Sequence, residues 1–350
     1  MAMRFSIFPK RCIGIDVGTY STKVVEISLF RGKLTLENYG EVFASSLGED
    51  SFRTFEKSGL MLSIENVSSG ISALIEEARI KTREAVFSLP DFSTFCTNFE
   101  LPKMAKKELL SAVQYEARRY VPLAPKEVTL DYQTSEKKTD KGVLKILLTA
   151  VPNSVINQYE KIGEYSKLGL MALEAEMFSL SRALGNLNLE TTAVIDIGAQ
   201  STTINIIDQG TLELSYSFDV AGNEITTGLM QGLNINERNA EILKVKYGIG
   251  TEKSVRDTIV FYADFILKEI DKITKEFSLK EKKEVKKFIL SGGTVLLPGI
   301  KDYFASCLKQ PVEVAEAFKN ILCPPVLKDY LKERGHIFSI ALGAAIKGLE

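Results

Sequence analysis

The chain has little of what marks a nucleic-acid binder, a metalloprotein or a membrane span. Its 350 residues carry 44 Lys and Arg against 45 Asp and Glu, a formal net charge of −1, whereas nucleic-acid binding calls for a basic excess or a concentrated basic stripe. The densest basic run, Lys280 to Lys287, also holds Glu281 and Glu284 and reads as the solvated face of a helix. The four cysteines, Cys12, Cys96, Cys307 and Cys323, stand far apart, which excludes the spacing of a zinc site or a disulfide framework and fits a reducing compartment. A single histidine, His336, cannot build a multi-histidine metal site and lends no support to triad chemistry; it is expected to start a helix. No run of about 18 apolar residues occurs, and the lead Met1–Lys10 is too short and interrupted for a signal peptide. A cytoplasmic protein is expected. Phe5, Ile7 and Phe8, beside Arg4, Lys10 and Arg11, are expected to pack on the body rather than to lie in a membrane.

What remains is a globular composition, 45% hydrophobic and 25% charged, on a chain too long for one ordinary core, so two or more domains are expected. The stretch Ile15-Asp16-Val17-Gly18-Thr19-Tyr20-Ser21-Thr22-Lys23-Val24 runs an apolar strand into an acid, a glycine and hydroxyls, then back into apolar residues. That is the pattern of two strands joined by a tight turn. Its counterpart is Ile195-Asp196-Ile197-Gly198-Ala199-Gln200-Ser201-Thr202-Thr203-Ile204, identical at five of ten positions. Two such turns heading two halves of a chain indicate an internal duplication.

The residue types suit a phosphate. Gly18 and Gly198 allow backbone angles closed to other residues. Successive amides, with the hydroxyls of Thr19, Ser21 and Thr22 or of Ser201 and Thr202, then form a concave donor set. Lys23 adds positive charge. Asp16 and Asp196 make sense beside a phosphate only with a Mg²⁺ between, held through its waters. No P-loop or dinucleotide-fold glycine signature occurs, and Gly248-Ile249-Gly250 follows a helix, where glycine is a cap. Late in the chain Lys287-Phe288-Ile289-Leu290-Ser291-Gly292-Gly293-Thr294 is a strand ending in paired glycines, a surface on which a flat base or ribose can lie, or simply a tight strand-to-helix loop.

Periodicity places strands over 13–27 and 33–43 and a helix near 67–77. A β/α/β/β/α block follows: Ala85–Pro90, a helix over 106–120, strands over 128–133 and 143–151 around a hydrophilic turn at 135–142, and a helix over 154–168. This block suits a small sheet with helices on one face. The second half restarts at Thr192, with helices over 221–232, 236–247 and 253–278.

Two phosphate hairpins and a late Ser-Gly-Gly-Thr loop in this order resemble the actin, sugar-kinase and heat-shock-chaperone ATPase superfamily. The series Leu89-Pro90-Asp91, Leu101-Pro102-Lys103, Glu108-Leu109, Tyr115-Glu116-Ala117, Tyr120-Val121-Pro122-Leu123 and Asp131-Tyr132 narrows the resemblance to the PilM family of type IV pilus assembly proteins, with the division protein FtsA next. The resemblance implies an α/β, duplicated actin-like (ribonuclease H-like) two-lobed ATPase fold with an FtsA/PilM-type inserted α+β subdomain. The first lobe would span 1–85 and 170–190, the insertion 86–169, the second, nucleotide-binding lobe 191–335, and a closing helix 336–350. It implies ATP and Mg²⁺ as cofactors, with Asp16, Gly18, Thr19, Ser21 and Lys23 in the first phosphate turn, Asp196, Gly198, Ala199 and Gln200 in the second, and Asp16 and Asp196 serving the metal. Glu241 and Lys244 are similar to a ribose-contacting Glu and an adenine-flanking Lys, with Gly292, Gly293 and Thr294 closing over the adenosine and Gly222 and Asn223 lining the cleft. Glu174, rather than Glu176, is the expected carboxylate that positions an attacking water. Tyr20 and Gln200 replace small residues at the turns, so binding is expected with weak or absent hydrolysis. The implied function is an ATP-binding scaffold of a type IV pilus or related type II secretion platform. It would hold the N-terminal tail of the inner-membrane protein PilN between first lobe and insertion, with other platform proteins as further partners. Since the sequence ends at Gly348-Leu349-Glu350 without the membrane helix of FtsA-like proteins, membrane contact is expected to be indirect. A sugar or acetate-type kinase and a filament-forming division protein are the rival readings.

Overall fold

Alternating apolar residues at the start of the chain build an antiparallel meander in the computed structural model, which describes residues 8–48, 51–56, 59–136, 142–185 and 190–350. The lead at 1–7 and most of the expected turn at 135–142 lie outside the described residues. Strands β1 (Lys10–Val17), β2 (Ser21–Phe30) and β3 (Lys33–Phe43) form the meander. A small hairpin, β4 (Arg53–Glu56) and β5 (Gly59–Leu62), leads through helix α1 (Ile64–Glu77) into β6 (Glu84–Leu89). Next come β7 (Phe95–Pro102), α2 (Lys106–Ala117), β8 (Val128–Glu136), β9 (Val143–Pro152), α3 (Asn153–Tyr165), β10 (Gly169–Ala175) and α4 (Glu176–Ala183). The second half repeats the pattern with β11 (Thr192–Ile197), β12 (Thr202–Asp208) and β13 (Thr211–Phe218). It continues through α5 (Gly222–Leu233), α6 (Glu237–Tyr247), α7 (Lys253–Glu281), β14 (Lys287–Ser291), α8 (Ile300–Cys307), β15 (Val312–Val314), α9 (Lys328–Arg334) and α10 (Ser339–Lys347).

The first sheet has the order β10-β6-β1-β2-β3 and the second β15-β14-β11-β12-β13, which is the same order strand for strand. In both, the meander is antiparallel and the outer two strands run parallel to its first strand. The duplication seen in ten residues is therefore a duplication of topology, and the two-lobed α/β fold expected from the sequence is present. β6 and β11, central strands covered on both faces, are almost wholly buried apolar runs, as buried parallel strands are.

Helix α10 lies between the two halves at backbone contact. A Cβ on Gly14 of β1 would stand 1.8 Å from the carbonyl oxygen of Ala341, and one on Gly343 would stand 1.7 Å from that of Ser179 in α4. Small residues at these two points let α10 sit directly on β1 and α4. After β15 the chain crosses to the first sheet, where Ala317, Phe318, Ile321 and Leu331 pack with Val25, Ile27 and Leu36.

Several element readings are corrected. The strand at Ala85–Leu89, expected to open the inserted block, pairs with β1 and β10 in the first sheet. Helix α3 buries Val155, Tyr159 and Ile162 in the core of that same sheet. The unit that stands apart is the sheet β7-β9-β8 with α2, and β7 was not foreseen, although Phe95, Phe99 and Leu101 alternate and face α2. Lys280–Lys287 is not a helix face: α7 ends at Glu281, and Lys282 adopts the left-handed conformation (φ 56°). Lys283 then pairs with Asp208, and Lys287 with Glu313 at 2.6 Å.

The open face of the small sheet rests on the second sheet. Leu147 of β9 joins a cluster with Val194, Ile207 and Leu212. Around it Asn98 Nδ2 donates to the Glu213 carbonyl, Lys145 pairs with Glu213 and, at 3.6 Å, with Glu281, and Lys280 Nζ donates to Asn98 Oδ1 at 3.0 Å.

Candidate functional site

The two hairpin turns are superimposable in their bonding. Asp16 stands opposite Lys23 and Val17 opposite Thr22 in one; Asp196 stands opposite Thr203 and Ile197 opposite Thr202 in the other. In each the glycine N–H donates to the serine carbonyl three residues on, Gly18 to Ser21 and Gly198 to Ser201, both at 3.0 Å. Neither glycine has a positive φ, which corrects the expectation of special backbone angles. The need is for space: a Cβ would stand 2.7 Å from the Ser21 oxygen in the first turn and 3.1 Å from the Ser201 oxygen in the second.

Both turns open on one cleft between the sheets, of about 270 Å³. Of the sequence-derived residues, Asp16, Gly18, Thr19, Ser21, Lys23, Asp196, Gly198, Ala199, Gln200, Gly222, Glu241, Lys244, Gly292, Gly293 and Thr294 line it. Asn223 sits just behind the wall, its N–H donating to the Ala199 carbonyl at 2.7 Å. The first turn of α5 faces the cleft, and although its Gly222 and Asn223 amides are bonded to carbonyls of the second turn, the positive end of the helix dipole there favours an anion. Gly222 is tightly placed there, with its N–H 3.2 Å from the Gly198 oxygen, to which Thr294 Oγ1 also donates at 2.8 Å. Gly292 has a φ of +91°, and a Cβ there would stand 2.4 Å from the Ile197 carbonyl oxygen; both demand glycine. Gly293 meets nothing within 4 Å and leaves that stretch of wall bare.

Lys244 is buried, and its Nζ donates to the Gly222 carbonyl at 3.1 Å, to Thr226 Oγ1 at 2.7 Å and to Glu241 Oε1 at 2.5 Å. Lys23 donates to Ser21 Oγ at 2.8 Å and stands 3.6 Å from Glu41, so part of its charge is already matched. Tyr20 spans the cleft mouth, its hydroxyl 3.5 Å from Glu237 Oε1, a long separation for such a bond.

Glu174 is elsewhere. Its two oxygens are held by Arg182 at 2.5 and 2.7 Å and by Ser179 Oγ at 2.8 Å, and it does not line the cleft. Two residues later α4 begins and turns Glu176 into the site, so of the two carboxylates weighed from the sequence the other one faces the turns. Glu176 is paired with Arg53 Nη1 at 2.8 Å and accepts the Asp91 N–H at 3.3 Å, while Asp91 Oδ1 accepts the Met177 N–H at 3.0 Å. Arg53 and Asp91 were not foreseen, since a lone arginine in Ser-Phe-Arg-Thr-Phe and an aspartate in a Leu-Pro-Asp corner carry no spacing signal.

Four acids, Asp16, Asp91, Glu176 and Asp196, thus gather about two cations, Arg53 and Lys23. Burial, with Glu176 and Asp16 nearby, pushes Asp196 up to about 7. Burial also raises Glu176, against the opposing pull of Arg53, and burial beside Glu176 raises Asp91 well above its ordinary value. His336 lines the cleft from the α10 side, and burial, with Arg334 nearby, pushes it down to about 4. It sits in a 3₁₀ turn ahead of α10, close to its expected place. Among the described residues no group of three His, Cys, Asp or Glu side chains could hold a metal ion directly. The side-chain oxygens of Gln200 and Asn223 are buried without a hydrogen-bond partner among the described residues. Buried acceptors left unmatched and a carboxylate short of positive charge fit a bound group carrying donors and a cation.

The family described as type IV pilus assembly protein PilM matches residues 14–349. The chain is similar to the cell division protein FtsA of Enterococcus faecalis, 24% identical over 337 residues, 83% of this chain and 75% of the relative. Among solved structures it is similar to a chain of the PilM–PilN type IV pilus biogenesis complex, at 21% identity and a TM-score of 0.85, covering 97% of this chain and 98% of that one. It is also similar to MreB5 of Spiroplasma citri bound to AMPPNP, at 12% identity and a TM-score of 0.53, covering 96% and 95%. The actin-like fold inferred from the sequence is thereby borne out. No helix among the described residues is long and apolar enough to cross a membrane.

Proposed function

The chain belongs to the PilM family of type IV pilus assembly proteins, and from that premise we propose that it is an ATP-binding scaffold of the inner-membrane pilus platform, or of a related type II secretion platform, that grips the N-terminal tail of PilN. The observation that carries the nucleotide half is the convergence of Asp16 and Asp196, from two turns of one register, on a single cleft. The amides of both turns, with the positive end of α5 behind the second, would hold phosphates, Glu241 and Lys244 the ribose and base side, and Gly292 and Gly293 the flat face. Asp16 and Asp196 would hold a hydrated Mg²⁺, which supplies the charge that offsets phosphate against carboxylate. The same fold carries AMPPNP in MreB5. The partner half is supported by the likeness to the chain in the PilM–PilN complex. We read the first sheet with its helices as one lobe, the second sheet with its helices as the other, and the β7-β9-β8 unit as the insertion beside which the tail docks. Glu176, the carboxylate that faces the turns in place of Glu174, is tied to Arg53, which favours binding over turnover.

Asp196→Asn tests the pocket. Calorimetric titration of Mg²⁺-ATP is expected to show affinity reduced about 10–100-fold, the scale on which removing a residue that orients a metal's shell acts; equal affinity rejects the assignment. The same variant reports on pH. Asp196 ionises near 7 in the folded chain against an ordinary 3.8, so its contribution is fully present below about pH 4 and is lost as pH rises through 7. Urea midpoints of the nucleotide-free wild type should fall from pH 5.5 to pH 8, and those of Asp196→Asn should fall less. For the partner half, a synthetic PilN tail is titrated with and without nucleotide. Binding in neither state would defeat the scaffold reading, and any nucleotide effect on tail affinity must be matched by an equal tail effect on nucleotide affinity.

A further inference from the structure

The end of the first sheet remote from the cleft gathers projecting apolar side chains and unmatched cations. β1 runs toward the cleft and ends there at Val17, so its start, Lys10 opposite Leu29, marks the far end. At that end the β2–β3 hairpin turns through Phe30-Arg31-Gly32-Lys33, with Phe30 opposite Lys33 and the Arg31 guanidinium 5.1 Å from the centroid of the Phe30 ring. The outer edge of β3 is covered by one residue: the Leu322 N–H donates to the Leu34 carbonyl and the Leu36 N–H to the Leu322 carbonyl, both at 2.9 Å. These two bonds fix the 322–328 loop beside the hairpin tip. Leu327 packs inward with Leu29 and Leu34, which leaves Val326 pointing out, 86% exposed, with Leu322 at 53% and Phe30 at 39%.

Around these side chains stand Arg31, Lys33, Lys319, Lys328 and Lys332, all exposed. Lys319 lies 3.7 Å from Glu316; Arg31, Lys33, Lys328 and Lys332 form no ion pair among the described residues. Lys328 and Lys332 share α9 with the exposed acids Asp329 and Glu333, so the cations in excess are those of the hairpin tip, Arg31 and Lys33. On α7, by contrast, exposed Lys272 and Lys275 are each matched by an acid on the same helix. The apolar side chains here stand singly at turn tips with cations between them. That arrangement suits a headgroup layer, which accepts a shallow apolar tip and presents phosphates to the cations around it.

We propose that this edge binds the surface of an anionic phospholipid bilayer directly, with Val326, Leu322 and Phe30 entering the headgroup layer and Arg31, Lys33, Lys328 and Lys332 meeting lipid phosphates. A chain seated this way keeps its cleft facing solution. Each cation brought to an anionic leaflet strengthens binding about fivefold, and such a contact is weak alone and effective beside a second attachment. It therefore adds to a protein-mediated tether and is independent of the nucleotide and tail readings.

The test is flotation of the purified full chain with phosphatidylcholine vesicles that contain or lack phosphatidylglycerol. The expected result is flotation with the anionic vesicles only, weakened by salt. Arg31→Glu with Lys33→Glu should lower the bound fraction at least about tenfold, Val326→Asp should lower it as well, and Lys272→Glu on α7 should leave it unchanged. Matching thermal melts verify that each variant is folded, and Val326→Asp, a change at an outward position, stands in should the double variant fail to fold. The proposal is overturned if the wild type shows no preference for anionic vesicles, the result expected were this edge a protein-docking surface, or if folded edge variants float like the wild type.

Discussion

Gly14→Val is expected to leave almost no folded protein, with a stability loss of about 4–5 kcal/mol or more, the range reserved for substitutions that a core cannot absorb. The position is a buried strand residue whose first added carbon would stand 1.8 Å from the Ala341 carbonyl oxygen and 2.3 Å from the Ala345 nitrogen. Both are backbone atoms of α10, so no side chain can swing aside. The helix would have to lift off β1, and with it Leu342 and Ala345 would leave the cluster they share with Cys12, Val25 and Val86. Gly343→Ala should act in the same direction through the Ser179 carbonyl, 1.7 Å from the new carbon. Gly232→Ala is the control: the position lies in α5, is exposed, and has nothing within 4 Å. It should gain about 0.5–1 kcal/mol, since alanine loses less freedom than glycine on entering a helix. Urea denaturation of the three variants gives the ranking; a Gly14→Val protein as stable as the wild type would mean that α10 does not rest on β1.

Arg53→Met is expected to cost about 3–5 kcal/mol near neutral pH, the usual result of stripping one partner from a buried ion pair. Among the described residues Arg53 is the one cation paired directly within the group formed by Asp16, Asp91, Glu176 and Asp196, and both members of the Arg53–Glu176 pair have side chains only 10% exposed. Burial already raises Glu176 while Arg53 holds it down, so losing the guanidinium raises the carboxyl further. A group bound more tightly to its proton in the folded chain contributes most at low pH and loses that contribution as pH rises through the folded value. The deficit of Arg53→Met should therefore be smaller at pH 5 than at pH 8. Adding Glu176→Gln to Arg53→Met should restore much of the loss at pH 8, because the stranded charge is then gone. Equal deficits at the two pH values, with no recovery in the double variant, would show that Arg53 serves only by packing.

What could be read from the sequence followed from short-range rules. The twin turns were legible because strand alternation, acid, glycine and hydroxyls recur in one order, and backbone register then carries Asp16 and Asp196 to equivalent places. Helix α7 was legible because Val255, Ile259, Ile266, Ile270, Ile273 and Phe277 repeat at helical spacing, and all are buried. The choice between Glu174 and Glu176 was not legible. It depends on where β10 yields to α4, and on Arg182, eight residues past Glu174, reaching back to take that carboxylate. Arg53 was hidden for a similar reason: a short hairpin delivers it to Glu176, 123 residues away in sequence, and no local pattern announces such a pairing. Strand β6 was assigned to the wrong sheet because periodicity identifies a strand without naming its neighbours. Lys280–Lys287 misled because a mixed-charge run looks the same whether the helix continues or ends, and here it ends at Glu281.

The small sheet acts as a brace. It leaves the first half of the chain through β7 and returns through β9, yet Leu147, Lys145 and Asn98 fasten it to the second half. Swinging the halves apart about α4 and α10 therefore wets Leu147 and parts Lys145 from Glu213 unless the small sheet pivots with the second half, which would bend its connections to β6 and α3. Anything that clasps the small sheet and limits that pivot also resists the parting of Asp16 from Asp196, so a hand on the outside of this molecule is felt at its centre.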